Sequence, residues 1–228
     1  MVTCDILGGG VAVFRNVIDV STSREFTTSV EQNNKPPYTP EVDGVGFDFR
    51  PNGDVETPSR FFVNSAHPIC TMWDSVLYKC LVSYCQTFRE AMRTVQWTFA
   101  GHLLSYKNKQ HIGWHSDNVI PKYPKQLFGV APAETQFSVY LTLSTLLYLN
   151  DDYHGGEIQF KYPSMSYKPE AGSVIFYPSS FMGTHQVLPI TSGQRLAYVK
   201  FYGHGWPSSH STHALHWLPS LGDDIYEL

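Results

Sequence analysis

The feature that most constrains the fold is a change in residue type after Arg93. From there β-branched and aromatic residues predominate, and glycines or prolines interrupt them at intervals that suit short strands. We expect strands at residues 95–106, around His115, and at 137–149, 157–160, 173–177, 185–188 and 195–202. The second half of the chain is therefore predicted to form a β-rich core.

The first 94 residues are predicted to support that core. Residues 69–92 contain neither proline nor glycine, and apolar residues recur every three or four positions, which predicts a long helix with one face against a sheet. Residues 10–17 predict a short strand, followed by a helix up to residue 31, and Gly8-Gly9-Gly10 predicts a flexible start. The proline-rich stretch 34–58 predicts a loop that includes a hairpin at 45–54.

Length and composition narrow the class of protein. A chain of 228 residues suits one domain, which we divide into support (1–94), core (95–203) and tail (204–228). The net charge is −4 and no basic block is present, so nucleic acid is a disfavoured partner and a small-molecule or peptide substrate is expected. Four cysteines without a CxxC pair, no leader and no apolar run of membrane length predict a cytoplasmic protein. The oligomeric state stays open.

The most informative motif is His115-Ser116-Asp117. Side chains at i and i+2 of a strand point to the same face, about 6.6 Å apart along the backbone, so one metal could lie between them. The missing ligand should be a histidine from a distant strand, and His185, which follows the strand at 173–177, meets that requirement. Two histidines and one carboxylate on one face leave open positions on Fe(II) for a chelating co-substrate and O2.

Arg195 follows His185 by ten residues. The turn Thr191-Ser192-Gly193 should fold the chain into an antiparallel neighbour and set Arg195 beside the metal strand. A guanidinium can clamp a carboxylate through two hydrogen bonds, so Arg195 suits the distal end of a dicarboxylic co-substrate. An ordinary surface ion pair is the alternative.

Residues 137–149 alternate between an apolar and a more polar face. The apolar face holds Phe137, Val139, Leu141, Leu143, Leu147 and Leu149, and the other holds Tyr140, Thr142, Ser144, Leu146 and Tyr148. We expect the apolar face to pack on a helix and the polar face, with Tyr148, to line a small barrel. A plain β-sandwich is the competing architecture.

These motifs together resemble the prolyl 4-hydroxylase type of 2-oxoglutarate and Fe(II)-dependent dioxygenase, over roughly residues 95–203. The matching segments are Tyr106-Lys-Asn-Lys-Gln-His-Ile-Gly-Trp-His115-Ser-Asp117-Asn118, Tyr148-Leu-Asn-Asp-Asp, Gly155-Gly-Glu157, Gly172-Ser-Val-Ile-Phe-Tyr-Pro178, His185-Gln-Val and Gly193-Gln-Arg195. The resemblance implies a mixed α+β fold in which N-terminal helices support a double-stranded β-helix, or jelly roll. It also implies that His115, Asp117 and His185 are the iron ligands. Arg195 and Tyr148 would hold the distal carboxylate of 2-oxoglutarate, and Tyr106 would line the same pocket.

By the same resemblance the cofactors are Fe(II), 2-oxoglutarate and O2, with ascorbate as a candidate reductant. The reaction would hydroxylate an unactivated C–H bond of a peptidyl proline, amino acid or small metabolite and release succinate and CO2. Members that act on collagen-like chains often use lysine where this chain has Arg195, which puts a collagen-type substrate in doubt. The loop at 120–135, a candidate lid, and the 34–58 segment are expected to decide the substrate.

Three other functions are known for related folds. An AlkB-type demethylase would carry a second arginine six residues after Arg195, where Phe201 stands, and a halogenase would lack Asp117. A non-catalytic metal-binding jelly roll would keep the triad without turnover.

The tail histidines at 210, 213 and 216 could form a second metal site, but no cysteine pair accompanies them and a frayed amphipathic end is favoured.

Overall fold

The structure is a computed structural model that describes residues 4–21, 57–62, 67–118, 140–205 and 215–226, together with residues 23, 24 and 28. The helices are α1 (Pro68–Thr87), α2 (Arg89–Met92) and α3 (Leu221–Tyr226), and residues 21, 23, 24 and 28 are also helical. The strands are β1 (Cys4–Gly8), β2 (Val11–Phe14), β3 (Ser59–Phe62), β4 (Trp97–Phe99), β5 (His102–Tyr106), β6 (Ile112–His115), β7 (Tyr140–Tyr148), β8 (His154–Gly155), β9 (Ile158–Phe160), β10 (Met165–Tyr167), β11 (Val174–Pro178), β12 (His185–Val187), β13 (Ile190–Ser192), β14 (Arg195–His204) and β15 (Leu215–Trp217).

The described strands form a large sheet, a small sheet and a two-stranded ribbon, all antiparallel. The large sheet has the order β1-β2-β11-β7-β14-β4-β15, with β5 bonded to β14 and β3 bonded to β5. The small sheet has the order β10-β9-β12-β6, and β13 pairs with β8. This arrangement agrees with the predicted jelly roll.

The large sheet has an outer and an inner face. The outer cluster, between this sheet and helix α1, contains Leu143 and Leu147 of β7, whereas Leu146 and Tyr148 belong to the inner cluster shared with the small sheet. Because side chains alternate along a strand, successive residues belong to opposite clusters. The predicted alternation of residues 137–149 is confirmed for the described positions, and Tyr148 points inward as expected.

Helix α1 covers the outer face. It begins at Pro68, whose fixed φ suits a first helical turn, and the Nδ1 atom of His67 accepts the Ile69 N–H at 3.3 Å. Its buried residues recur at helical spacing and are Cys70, Trp73, Leu77, Cys80, Leu81, Val82, Tyr84 and Cys85. The predicted helix therefore exists, but it ends at Thr87, because Phe88 leaves the helical region (φ −114°, ψ 76°) before α2 begins.

The single strand predicted at residues 95–106 is wrong, since β4 and β5 are separate strands. The interruption lies at Gly101, where a Cβ atom would sit 2.0 Å from the Tyr198 hydroxyl oxygen. The Tyr198 ring therefore fills the space that a side chain would need at residue 101. No pattern within residues 95–106 predicts this contact, because Tyr198 is almost a hundred residues away in the chain.

The flexible start predicted for Gly8-Gly9-Gly10 is also wrong. These glycines connect β1 and β2 in a hairpin, and all three have positive φ angles, of 110°, 60° and 78°. A Cβ on Gly9 would lie 2.9 Å from Pro163 Cγ, and the Gly10 carbonyl accepts the Tyr84 hydroxyl at 2.7 Å. Glycine is required here by backbone conformation and close packing.

The tail, for which no pattern was found, contains β15 and α3. His216 lies on β15 in register with Thr98, whereas residues 210 and 213 lie outside the described part of the chain. The predicted hairpin at 45–54 and the candidate lid at 120–135 also lie outside it. None of the described helices is long and apolar enough to cross a membrane.

Candidate active site

The structure brings His115, Asp117 and His185 together at one end of the small sheet. His115 ends β6, His185 begins β12, and the two are paired in register with ring centroids 4.2 Å apart. One ligand atom from each of the three residues lies within 4.8 Å of the other two, so the group could hold a metal ion. The sequence motif and the distant histidine therefore converge as predicted.

Asp117 differs from the prediction in one respect, because it lies two residues beyond the end of β6 rather than on the strand. The Asn118 N–H bonds the Ser179 carbonyl at 2.9 Å, which ties this segment to the residues just after β11. The Asp117 carboxylate still lies beside His115, with Oδ1 3.5 Å from His115 Nε2.

Both histidines are oriented by their own backbone. His115 Nδ1 lies 2.8 Å from the Gly113 carbonyl, and His185 Nδ1 lies 3.0 Å from the Gly183 carbonyl. A carbonyl can only accept, so Nδ1 must carry the proton and, in the neutral ring, Nε2 keeps its lone pair. This tautomer is the one that a metal ligand needs.

The Asp117 carboxylate is held from the opposite sheet. Ser144 of β7 donates to Asp117 Oδ2 at 2.6 Å, and the Ser144 and Ser179 hydroxyl oxygens are 2.8 Å apart. All three side chains are buried. A hydrogen-bonded carboxylate is restricted in orientation, as ligating carboxylates commonly are.

The ionisation of the three residues suits a cation. Burial by itself would raise the pKa of Asp117, but the imidazoles of His185 and His115 and the Ser144 hydroxyl outweigh it and hold this pKa well below its usual value. Burial is the largest influence on His185 and lowers its pKa to about 4. Burial also lowers the pKa of His115, yet the Asp117 carboxylate reverses this and raises it. At neutral pH the triad therefore offers a carboxylate and at least one neutral imidazole.

Arg195 lies deeper in the inner cluster and is fully buried. Its guanidinium carbon is 4.7 Å from the Tyr106 ring centroid and 5.0 Å from that of Tyr148, and Nη2 donates to the Tyr148 hydroxyl at 3.4 Å. The Nε and Nη1 atoms have no hydrogen-bond partner among the described residues. A buried guanidinium with unused donors fits an anion such as a carboxylate.

The strand of Arg195 is not where the sequence placed it. The turn after β13 does not make β14 a neighbour of the metal strand, because β13 pairs with β8, and β14 lies between β5 and β7 in the large sheet. Arg195 therefore faces the interior from the sheet opposite His185. The physical reason is the long pairing of β14 with β7, from Ala197 to His204, which a local turn pattern does not reveal.

Two tyrosines interact with residues of the triad, and one of them, Tyr106, interacts with Arg195 as well. The Tyr177 hydroxyl lies 3.3 Å from His185 Nε2, and burial raises the pKa of Tyr177 well above its usual value, so the hydroxyl keeps its proton. Tyr106 interacts electrostatically with Arg195 and with Asp117, and burial raises its pKa as well. The metal-binding candidates and the buried guanidinium thus face one common interior.

Sequence reasoning missed Ser179, Tyr177 and the role of Ser144. Ser144 shares its strand face with Tyr148, four residues further on, so the alternation along β7 already contained a signal for it. Tyr177 and Ser179 flank Pro178 at the end of β11, and nothing in the local pattern distinguishes them from core residues.

Residues 101–203 match the family described as the 2OG-Fe(II) oxygenase superfamily. In sequence, the chain is 35% identical over 96 residues to a PKHD-type hydroxylase of Xylella fastidiosa and 38% identical over 94 residues to one of Shewanella baltica. Each match covers 40% of this chain and 39% or 37% of the relative. The chain thus matches about two fifths of the length of these curated relatives.

Two solved structures share the fold. A prolyl-4-hydroxylase of Pseudomonas putida has a TM-score of 0.57 at 13% identity, covering 86% of this chain and 92% of that one. The viral collagen prolyl hydroxylase of Paramecium Bursaria Chlorella virus-1 has a TM-score of 0.56 at 14% identity, covering 84% and 93%. The predicted double-stranded β-helix is thereby confirmed.

Residues 101–203 are thus similar to the 2OG-Fe(II) oxygenase superfamily, and the resemblance read from the motifs is confirmed over that segment. The cofactors that this family implies are Fe(II), 2-oxoglutarate and O2. The donor set fits them, since a backbone carbonyl holds Nδ1 of each histidine, the three side chains converge, and the buried Arg195 donors suit a carboxylate.

Proposed function

We propose that this protein is a 2-oxoglutarate-dependent dioxygenase that hydroxylates a C–H bond, with His115, Asp117 and His185 as the Fe(II) ligands. The observation that carries the proposal is the combination of this triad with a buried, partly unpaired Arg195 in the same interior. A metal-binding site alone would not require a second, cationic subsite.

Each residue has a distinct task in this proposal. When bound, Fe(II) and 2-oxoglutarate supply oxidation by O2 with loss of CO2 and formation of succinate. His115 and His185 hold the metal through Nε2, and Ser144 keeps the Asp117 carboxylate turned toward it. Arg195 binds the distal carboxylate of 2-oxoglutarate.

The wall of the pocket is made of aromatic rings. Tyr106 and Tyr148 lie against the guanidinium, and their hydroxyl groups stay neutral because burial raises both pKa values. An apolar wall excludes water, so the pairing of Arg195 with a carboxylate is stronger there than in solvent.

A peptidyl proline is the substrate class we place first. The structural relatives are described as prolyl hydroxylases, and a further one, from Trichoplax adhaerens, is described in complex with a peptide fragment of hypoxia inducible factor. In this chain, Phe181 and Tyr162 are exposed, their rings are 6.0 Å apart, and Phe181 precedes His185 by four residues. An exposed ring pair, one member of which lies four residues before a proposed metal ligand, suits contact with a proline-containing chain.

The test is a substrate screen with the purified, iron-loaded protein, 2-oxoglutarate and ascorbate. Proline-containing peptides, free amino acids, small metabolites and a methylated oligonucleotide form separate pools, and succinate is measured in each. The expected product, made under 18-O2, gains one labelled oxygen atom. Binding of iron and 2-oxoglutarate with no succinate in any pool would instead favour the non-catalytic jelly roll.

A further inference from the structure

Tyr153 is a buried side chain beside Arg195 to which no role has been assigned. It precedes β8, is 3% exposed and belongs to the inner cluster. A Cβ atom built on Gly156 would lie 3.1 Å from both Arg195 Cδ and Tyr153 Cε2. The ring of Tyr153 and the stem of Arg195 therefore both border the space above Gly156.

The polar atoms of this pair share a property. Tyr153 Oη and the Arg195 atoms Nε and Nη1 are buried, and none of them makes a well-formed hydrogen bond to a described residue. Tyr153 and the guanidinium do interact with each other, because the charge of Arg195 and a side-chain hydrogen-bond interaction with it both act to lower the pKa of Tyr153. A buried donor without an acceptor is costly, so three of them on adjacent side chains indicate a shared acceptor from outside the protein.

The surroundings hold the Tyr153 ring in place. The ammonium of Lys168 lies 4.0 Å from the ring centroid and donates to the Gly155 carbonyl at 2.6 Å. Gly193 packs closely against the base of the Tyr153 side chain, because a Cβ there would lie 2.9 Å from Tyr153 Cα and 3.0 Å from its Cβ. A ring fixed by a cation and by backbone has little freedom to turn its hydroxyl elsewhere.

We propose that the Tyr153 hydroxyl donates a hydrogen bond to the distal carboxylate of 2-oxoglutarate, alongside Arg195. This inference rests on the proposed function and adds a third group to the co-substrate pocket. A carboxylate accepts only, and its two oxygens offer about four lone-pair positions, enough for Arg195 Nε, Nη1 and the tyrosine together. A neutral ligand end with a single acceptor would leave some of them unpaired.

The protonation state of Tyr153 agrees with a donor. Burial is the largest influence and, against the opposing effect of Arg195, raises the pKa of Tyr153 to about 12. The hydroxyl therefore retains its proton over the physiological range. Lys168, above the ring, also adds positive charge to this end of the pocket.

The experiment compares Tyr153→Phe with the unaltered protein in anaerobic binding titrations with Fe(II). We expect the Kd for 2-oxoglutarate to rise about tenfold, as for the loss of one hydrogen bond to a charged group. The Kd for 2-oxobutyrate, which keeps the chelating end and lacks the distal carboxylate, should not change. An equal loss for both ligands, or no loss for either, would overturn the proposal.

Two further measurements separate this role from a structural one. The melting temperature of Tyr153→Phe without 2-oxoglutarate should stay close to that of the unaltered protein, because the hydroxyl makes no well-formed hydrogen bond to any residue in the described part of the chain. Tyr167→Phe is the matched control, since that hydroxyl bonds Ser173 Oγ at 3.3 Å within the same cluster, and its Kd should not change. If the unaltered protein itself fails to bind 2-oxoglutarate, the proposed function fails, which is a different outcome from equal binding by both proteins.

Discussion

Strand β14 carries two buried cations on opposite faces of the large sheet, Arg195 and Lys200. Lys200 faces the outer cluster and has a counter-ion, because its Nζ lies 2.5 Å from Asp74 Oδ2 on helix α1. The same carboxylate accepts the Tyr198 hydroxyl at 3.0 Å. Arg195 faces the inner cluster, where among the described residues it contacts tyrosines and no carboxylate.

The two cations show how a structural charge differs from a functional one. Both cations give up hydration on folding, and a buried charge is stable when it is paired and hydrogen-bonded. The outer face provides the partner from the protein itself. The inner face leaves donors for a ligand, so substitutions on the inner face should impair binding, and substitutions on the outer face should impair folding.

The largest effect should follow from His185→Ala on the inner face. Loss of a residue that only hydrogen-bonds a metal ligand costs up to roughly 100-fold in metal affinity. Removing the ligand itself should lower iron affinity by more than that, and turnover should disappear. The free energy of unfolding without metal should change far less. Metal analysis and succinate formation measure this, with His154→Ala, an exposed histidine on β8, as the control. Unchanged iron binding in His185→Ala would refute the triad.

On the outer face, Asp74→Asn should reduce stability without affecting co-substrate binding. It leaves the Lys200 ammonium buried beside a neutral amide, for which we expect a loss of about 3 kcal/mol in the free energy of unfolding, measured with urea. The lower end of the usual range applies because the Asp74 side chain is 27% exposed. A loss of iron or 2-oxoglutarate affinity instead would contradict the division between the two faces.

The pH dependence of the same variant provides a second check. Burial, partly opposed by Asp74, already lowers the pKa of Lys200 below its usual value of 10.5, and Asp74→Asn should lower it further. Between the folded pKa and 10.5 the unfolded chain then binds more protons than the folded one, so stability rises with pH. The deficit of Asp74→Asn relative to the unaltered protein should therefore shrink as pH increases toward 10.5.

Arg195→Met tests the inner cation directly. Loss of a charge-assisted hydrogen bond to a carboxylate, about 1.5 to 3 kcal/mol, should weaken 2-oxoglutarate binding by roughly 10- to 150-fold. Stability without ligand should hold or increase, because a partly unpaired buried charge is replaced by an apolar chain. Calorimetric titration measures the affinity, and Arg93→Met, at an exposed position, is the control. Binding as tight as in the unaltered protein would show that Arg195 is a structural cation after all.

The sequence anticipated much of this site because its signals are local or strongly patterned. His115 and Asp117 lie two residues apart, and His185 follows a strand that is recognisable by composition. Alternation along β7 correctly assigned Leu147 and Tyr148 to opposite faces. These features depend on neighbours in the chain, so they can be read without knowing the pairing of distant strands.

The errors share a different physical cause. The strand break at Gly101 follows from the Tyr198 ring, and the sheet of Arg195 follows from the pairing of β14 with β5 and β7. Both depend on contacts between residues far apart in sequence. For the same reason, the burial of Tyr153 against Arg195 could not be predicted, although the Gly155-Gly156 pair that permits it was visible.

The smallest effect we predict concerns Ser144, which reaches the triad from the large sheet. Its hydroxyl donates to Asp117 Oδ2 at 2.6 Å, so Ser144→Ala should leave the carboxylate in place but less fixed in orientation. We expect iron affinity to fall about tenfold, which is the lower end of the range for losing a residue that hydrogen-bonds a metal ligand. The affinity for 2-oxoglutarate should change little once iron is saturating. Ser105→Ala is the matched control, because that buried hydroxyl accepts Gln194 Nε2 at 2.8 Å away from the triad. If both alanine variants bound iron equally well, the Ser144 hydroxyl would not orient Asp117, and the backbone after residue 115 would hold the carboxylate without help from β7.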